Sequence, residues 1–124
     1  VAAIDARMSE VYNGYFVLDE HNVMQAQQGE AVTPPDQLAQ LLSDVVTAPF
    51  YAVGTGWDAY PEKLAGQLST LRMNEASPDI LFPSAEAMLA IGKVQLENGQ
   101  GVSAEHAQPV YVRDTVSWKK LPGK

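Results

Sequence analysis

The chain has 124 residues, 46% hydrophobic and 19% charged, with a formal net charge of -7 and no cysteine. That length suits one domain with a real core, and the lack of cysteine excludes disulfides and thiolate metal sites. No apolar run approaches the roughly 20 residues that cross a bilayer as a helix, so the expectation is a soluble protein of the reducing cytoplasm.

The opening VAAID (residues 1–5) reads as a short apolar strand ending in an acid. A strand that starts at Val1 suggests a piece of a longer chain. Residues 10–18 set Val11, Tyr15 and Val17 against Glu10, Asn13 and the following Asp19, which favours a strand despite Gly14. DEHN (19–22) supplies a charged turn, and a third extended segment, 23–32, completes a hairpin. TPPD (33–36) then starts a helix, with Thr33 or a neighbour as cap and proline in the first turn. Leu38, Leu41, Leu42, Val45 and Val46 fall at helical spacing and predict one buried face.

FYAV (50–53) is the fourth predicted strand. It runs into the turn Gly54-Thr55-Gly56 and a helix over 57–68 that Pro61 either starts late or bends. Residues 69–73 are a candidate fifth strand, and SPD (77–79) marks a loop. The last helix is expected to begin near Pro83-Ser84 and end before Asn98-Gly99. Ala85, Met88, Leu89, Gly92 and Leu96 fall on one side of it, and Gly92 most simply permits close helix packing. Residues 104–124 read as an extended tail in which PVYVR (109–113) is a candidate docking strand. The order βββαβαβα predicts an α/β mixed sheet with helices on its faces, the ribonuclease H-like layout also found in each lobe of the actin-like ATPases. The lobe is expected over 1–103 and the tail over 104–124.

Charge is divided along the chain. Residues 1–112 carry 4 basic and 14 acidic side chains, while residues 113–124 carry Arg113, Lys119, Lys120 and Lys124 against Asp114 alone. An acidic body repels nucleic acid, which argues against direct RNA binding by the lobe. The basic tail is left to RNA, to an acidic partner or to the body itself.

Two enzyme readings suit such a fold. A metal-dependent nuclease needs carboxylates converging from the first strand, the first helix and the fourth strand. Asp5 stands where the first is required, but FYAV holds no acid, and Asp36 and Asp44 lie only at the ends of the first helix. A phosphotransferase or ATPase lobe needs bare glycine after the first-strand acid, because only glycine lets backbone approach an anion closely. Here Asp5 is followed by Ala6-Arg7-Met8. Gly54-Thr55-Gly56 remains the better phosphate candidate, although Trp57 directly after it more often caps a core than stacks on a base.

The other groups are weaker. His21 among Asp19, Glu20 and Asn22 resembles an oxygen-rich metal site but fits a solvated hairpin turn better. His106 beside Glu105 has no nucleophile identifiable nearby, so no triad is built. The five tyrosines lack the interleaved basic cluster of an RNA reader. Trp118-Lys119-Lys120 combines an aromatic anchor with charge and is the leading exposed-contact candidate, set against a disordered end.

The segments AIDARMSEVY (3–12), VGTGW (53–57), EHAQPVYVR (105–113) and SWKKLPGK (117–124) together closely resemble the C-terminal half of the TsaB (YeaZ) family. The resemblance implies an actin-like ATPase fold without the family's N-terminal lobe. It further implies a role in forming N6-threonylcarbamoyladenosine at position 37 of tRNAs that read codons beginning with adenine. In that system TsaD transfers the threonylcarbamoyl group and the ATPase TsaE joins the complex. The family resembles TsaD but lacks its metal-binding histidines, so the resemblance implies a non-catalytic partner with no cofactor and no metal, contacting TsaD, TsaE and itself, and tRNA only indirectly. Tyr111, Arg113, Trp118 and Lys119 are the expected partner contacts. The rival is a nucleotide-binding, kinase-like lobe whose cleft Asp5, Arg7, Gly54 and Gly56 would line; the third reading, suggested by an older glycoprotease label, is a peptidase using His106.

Overall fold

The computed structural model describes residues 1–42, 44–68 and 79–113. Two small antiparallel sheets and a few short helices make an α/β unit. Strand β1 (Ala2–Asp5) pairs with β2 (Val11–Gly14), Ala2 opposite Gly14, and β2 pairs on its other edge with β5 (Ala31–Thr33), Val11 opposite Thr33. A separate pair joins β3 (Phe16–Leu18) to β4 (Met24–Ala26), Phe16 opposite Ala26.

The expected long second and third strands are therefore each broken in two. Between the paired stretches lie two residues on one arm, Gly14 and Tyr15, but four on the other, 27–30, so the ladder cannot run through. Such an unequal count bends and twists a hairpin. The Gln27 N–H bridges the bend to the Tyr15 carbonyl at 2.8 Å. A side chain at Gly14 would come within 2.7 Å of the Phe16 ring, so the bend is fitted to glycine.

The fourth predicted strand docks beside β1 through a single parallel bridge, Val53 to Ala2. Three hydrogen bonds carry it. The Val1 amine donates to Tyr51 O at 2.7 Å, the Val53 N–H to Val1 O at 3.0 Å, and the Ala3 N–H to Val53 O at 2.9 Å. The order across the main sheet is thus Val53, β1, β2, β5.

The first helix is shorter than its apolar pattern. A 3-10 turn (Pro35–Gln37) leads into α1 (Leu38–Leu42). Pro34 occupies the cap position without a side-chain bond, and the Thr33 hydroxyl accepts from Asn13 Nδ2 at 2.7 Å. Leu38, Leu42 and Val46 are buried as expected, but Leu41 is 41% exposed; the α-helix runs only to Leu42, whose carbonyl accepts from both the Val45 and Val46 N–H groups.

The helix predicted over 57–68 is split into α2 (Gly56–Ala59) and α3 (Pro61–Leu68). Proline disfavours helical dihedrals in the residue before it, and Tyr60 sits at φ -134, ψ 54. Ala3, Val11, Leu38, Leu42, Trp57 and Leu64 form the centre of the core, each at most 1% exposed. Trp57 stacks obliquely on Phe50 with ring centroids 6.3 Å apart.

Helix α4 (Ala85–Glu97) matches its predicted limits. Ser84 Oγ accepts from the Ala87 N–H at 3.5 Å, and Gly99 closes the end at φ 72. Its apolar side is not packed as expected: Met88, Leu89 and Leu96 are 63%, 73% and 71% exposed. A β-carbon on Gly92 would meet no described atom within 4 Å, so Gly92 mediates no close packing here. The candidate strand over 69–73 and most of the SPD loop lie outside the described residues. Residues 109–113 form no strand.

Candidate functional site

Gly54 and Gly56 form the joint between the docked fourth segment and α2. Gly54 adopts φ +102, a conformation costly for other residues. An added β-carbon would lie 2.4 Å from the Ala3 carbonyl oxygen at Gly54 and 2.8 Å from the same oxygen at Gly56. The bare face of both glycines is thus turned onto the backbone of β1. The Gly54 N–H is engaged by the Ile80 carbonyl at 2.7 Å, and α2, which begins at Gly56, is only four residues long. Trp57 is 1% exposed and belongs to the core, so its ring offers no face to a base. Its indole N–H finds no acceptor among the described residues.

The structure brings Asp5 to this joint. The Asp5 N–H donates to Thr55 Oγ1 at 3.2 Å, and Asp5 Oδ1 accepts from the Arg7 N–H at 3.0 Å and from the Tyr60 hydroxyl at 3.4 Å. The Tyr60 phenol is pushed above its ordinary pKa, first by desolvation and then by the Asp5 carboxylate and its hydrogen bond, with Arg7 opposing. Asp5, Gly54 and Gly56 therefore share one junction through Thr55, with the carboxylate holding local turns. Arg7 follows on an exposed loop.

That loop, residues 6–10, is unusual. Arg7, Met8 and Ser9 take φ of 62, 56 and 61 in succession. L-residues pay about 1–2 kcal/mol each in the left-handed region and visit it singly as a rule. The turn is closed by Glu10 N–H to Arg7 O at 3.1 Å and Ala6 N–H to Glu10 O at 3.0 Å. Arg113 reaches across it from the far end of the described chain. Its Nη1 donates to Ala6 O at 2.9 Å, its Nη2 meets Glu10 Oε2 at 2.5 Å, and the guanidinium lies over the Tyr12 ring at 5.5 Å. The side chain is only 12% exposed.

Of the expected partner contacts, then, Arg113 is engaged within the chain, Tyr111 is 77% exposed, and Trp118 and Lys119 lie outside the described residues. No feature local to residues 109–113 signals the Glu10 pairing, since the two groups are 103 positions apart.

The remaining candidates resolve into turns. Asp19 accepts from the His21 and Val23 N–H groups, both at 2.9 Å, and from Gln25 Nε2 at 2.9 Å. The Val23 bond is the largest influence holding its carboxyl below the ordinary pKa; desolvation opposes, and the Gln25 and His21 bonds assist. His21 makes an exposed contact with Glu20 at 3.6 Å. Among the described residues no three histidine or acidic side chains gather to hold a metal.

One nucleophile was missed: Ser103 Oγ lies 2.7 Å from His106 Nδ1. The i, i+3 spacing is its sequence signal. Both residues are exposed; Ser103 directly precedes and His106 ends a three-residue 3-10 turn (Ala104–His106), so the contact is local.

Fold and site together define an α/β unit whose glycine turn is a packing joint and whose Arg113 reaches across its first hairpin turn. No protein-family model matches the chain. Along its whole length it is similar to tRNA threonylcarbamoyladenosine biosynthesis protein TsaB of Escherichia coli strain K12, with 42% identity over 128 residues, and to the protein of the same name from Haemophilus influenzae, with 34% over 135 residues. The chain spans about half the length of these curated relatives, 52% and 51% respectively. The resemblance to TsaB read from the sequence is borne out, and the match is consistent with a C-terminal portion of such a protein.

Proposed function

We propose that the chain is the second lobe of a TsaB-type protein. It acts as a non-catalytic subunit in forming N6-threonylcarbamoyladenosine at position 37 of tRNAs that read codons beginning with adenine, in the cytoplasm, as a partner of TsaD and TsaE. The two relatives carry the pathway. The observation that carries the non-catalytic role is the glycine turn: both glycines spend their bare faces on the Ala3 carbonyl, where an active relative would use bare backbone to approach a phosphate.

The finer fold follows the ribonuclease H-like plan. Three antiparallel strands in the order β1, β2, β5, with a parallel fourth segment entering beside β1, support it. The lobe runs to residue 103 and the tail from 104. The exposed apolar side of α4 supports reading the chain as part of a larger assembly, because contiguous apolar surface of that kind marks an interface. The nucleotide-binding rival loses its second glycine cradle, and the peptidase reading has an exposed Ser103–His106 pair on a single turn.

The test is reconstituted tRNA modification with the full-length protein carrying Asp5→Asn and Thr55→Val. A scaffold retains its output within about two-fold, since neither group touches a reacting atom. Loss of output of about 10²-fold or more from a folded double variant, the size expected when a catalytic group goes, would sink the reading and restore the kinase-like lobe.

A further inference from the structure

The left-handed run at residues 7–9 is a backbone state that its own residues do not favour. No glycine sits in it, and its neighbours in sequence supply only two backbone hydrogen bonds, at Ala6 and Glu10. Strained backbone of this kind persists only where the surroundings over-determine it. The surroundings here are two side chains: Asp5, whose Oδ1 accepts from the Arg7 N–H at the start of the run, and Arg113, which spans the whole of it. Arg113 binds the carbonyl of the residue before the turn, Ala6, and the carboxylate of the residue after it, Glu10, and lies on the ring of Tyr12 next along β2. A planar guanidinium suits this three-way grip in a way that a lysine does not. Met8 Sδ adds a weak contact at 3.8 Å.

Residues 107–111, which lead to Arg113, are all exposed. The strap is thus anchored at its end and not along its length.

We infer that residues 107–113 form a strap whose Arg113 locks the β1–β2 turn in its left-handed state, so that strap and turn make one two-state element that opens and closes as a unit. When closed, the element presents Arg7, Met8 and Ser9 outward on a fixed scaffold; all three are exposed. When open, the turn relaxes and that surface is lost. The device stands independently of the role in tRNA modification.

The test is amide hydrogen exchange on the full chain, with trypsin cleavage after Arg7 as a second readout. Arg113→Ala is expected to speed exchange at Ala6 and Glu10 by about ten-fold and to hasten the Arg7 cut. Ala3 and Val53, whose amides pair across the parallel bridge, are expected to hold their rates. Met8→Gly removes the side-chain penalty of the left-handed state, so the double variant Met8→Gly/Arg113→Ala is expected to recover most of the lost protection. Tyr111→Ala, on the same strap but free of the grip, leaves all four amides unchanged. Wild-type exchange in Arg113→Ala overturns the proposal, as does equal acceleration at Ala3 and Val53, which would make the residue a general stabiliser. A double variant no better protected than Arg113→Ala alone overturns it too.

Discussion

Apolar side chains on helices α3 and α4 meet opposite fates. Leu64 of α3 is fully buried in the core cluster that also holds Trp57 and Leu38, while Leu89 and Leu96 of α4 stand more than 70% exposed. The sequence pattern is the same kind of statement in both: it says that one side of a helix avoids water. It does not say what will cover that side. The contrast teaches that, among the described residues, α3 belongs to a closed packing problem and α4 to an open one.

Substitutions sharpen this contrast in order of size. Trp57→Ala is expected to cost about 3–5 kcal/mol in urea unfolding, the range for deleting a fully buried aromatic; a loss below about 1 kcal/mol would put the ring outside the core. Next, Gly54→Ala places a methyl against the Ala3 carbonyl at positive φ, and roughly 2–4 kcal/mol should be lost. A wild-type melting curve for that variant would mean that the joint is looser than its 2.4 Å approach indicates.

The Val1 amine comes third. Burial lowers its pKa from 8.0 to about 6, so between those values the unfolded 124-residue chain binds more protons than the folded one. Stability therefore rises as pH climbs from 6 to 8, by on the order of 2 kcal/mol once partial solvent screening is allowed for. Acetylation of the amine should flatten that rise while leaving the N–H bond to Tyr51; an unchanged slope after acetylation would assign it to another group.

A smaller effect lies at the β3–β4 turn. The lowered Asp19 pKa means its bonds stabilise the turn above the ordinary carboxylate value and are lost as pH falls through the folded value. Asp19→Asn should remove this acid dependence of the His21 and Val23 amide shifts in NMR titration. Smallest of all, Leu89→Ser in the 124-residue chain should change stability by no more than about 0.5 kcal/mol, as at other exposed positions. A cost comparable to that of a core leucine would show the α4 face to be covered after all.

Local signals were legible and distant ones were not. The limits of α4 follow from Ser84 and from Asn98-Gly99, which act on backbone groups a few residues away. The break at Tyr60 follows from Pro61 in the same way. The bend in the long hairpin was invisible because it depends on unequal residue counts in two arms, and neither arm alone looks irregular. Gly54-Thr55-Gly56 was recognisable as a special turn, yet its purpose depends on Ala3, some 50 residues earlier. The same holds for Arg113, whose partner Glu10 could not be named without the fold.

The parallel rungs between Val1 and Val53 also set a timetable. Their two ends are 50 or more positions apart, so closing them requires bringing together a loop far longer than the hairpin turn at residues 6–10, at a greater entropic cost. Contacts of that separation slow folding. On an emerging polypeptide the first hairpin is therefore free to zip early, whereas its β1 edge stays bare until residue 53 has been synthesised. During that interval the unpaired β1 edge is open to pairing with a neighbouring chain.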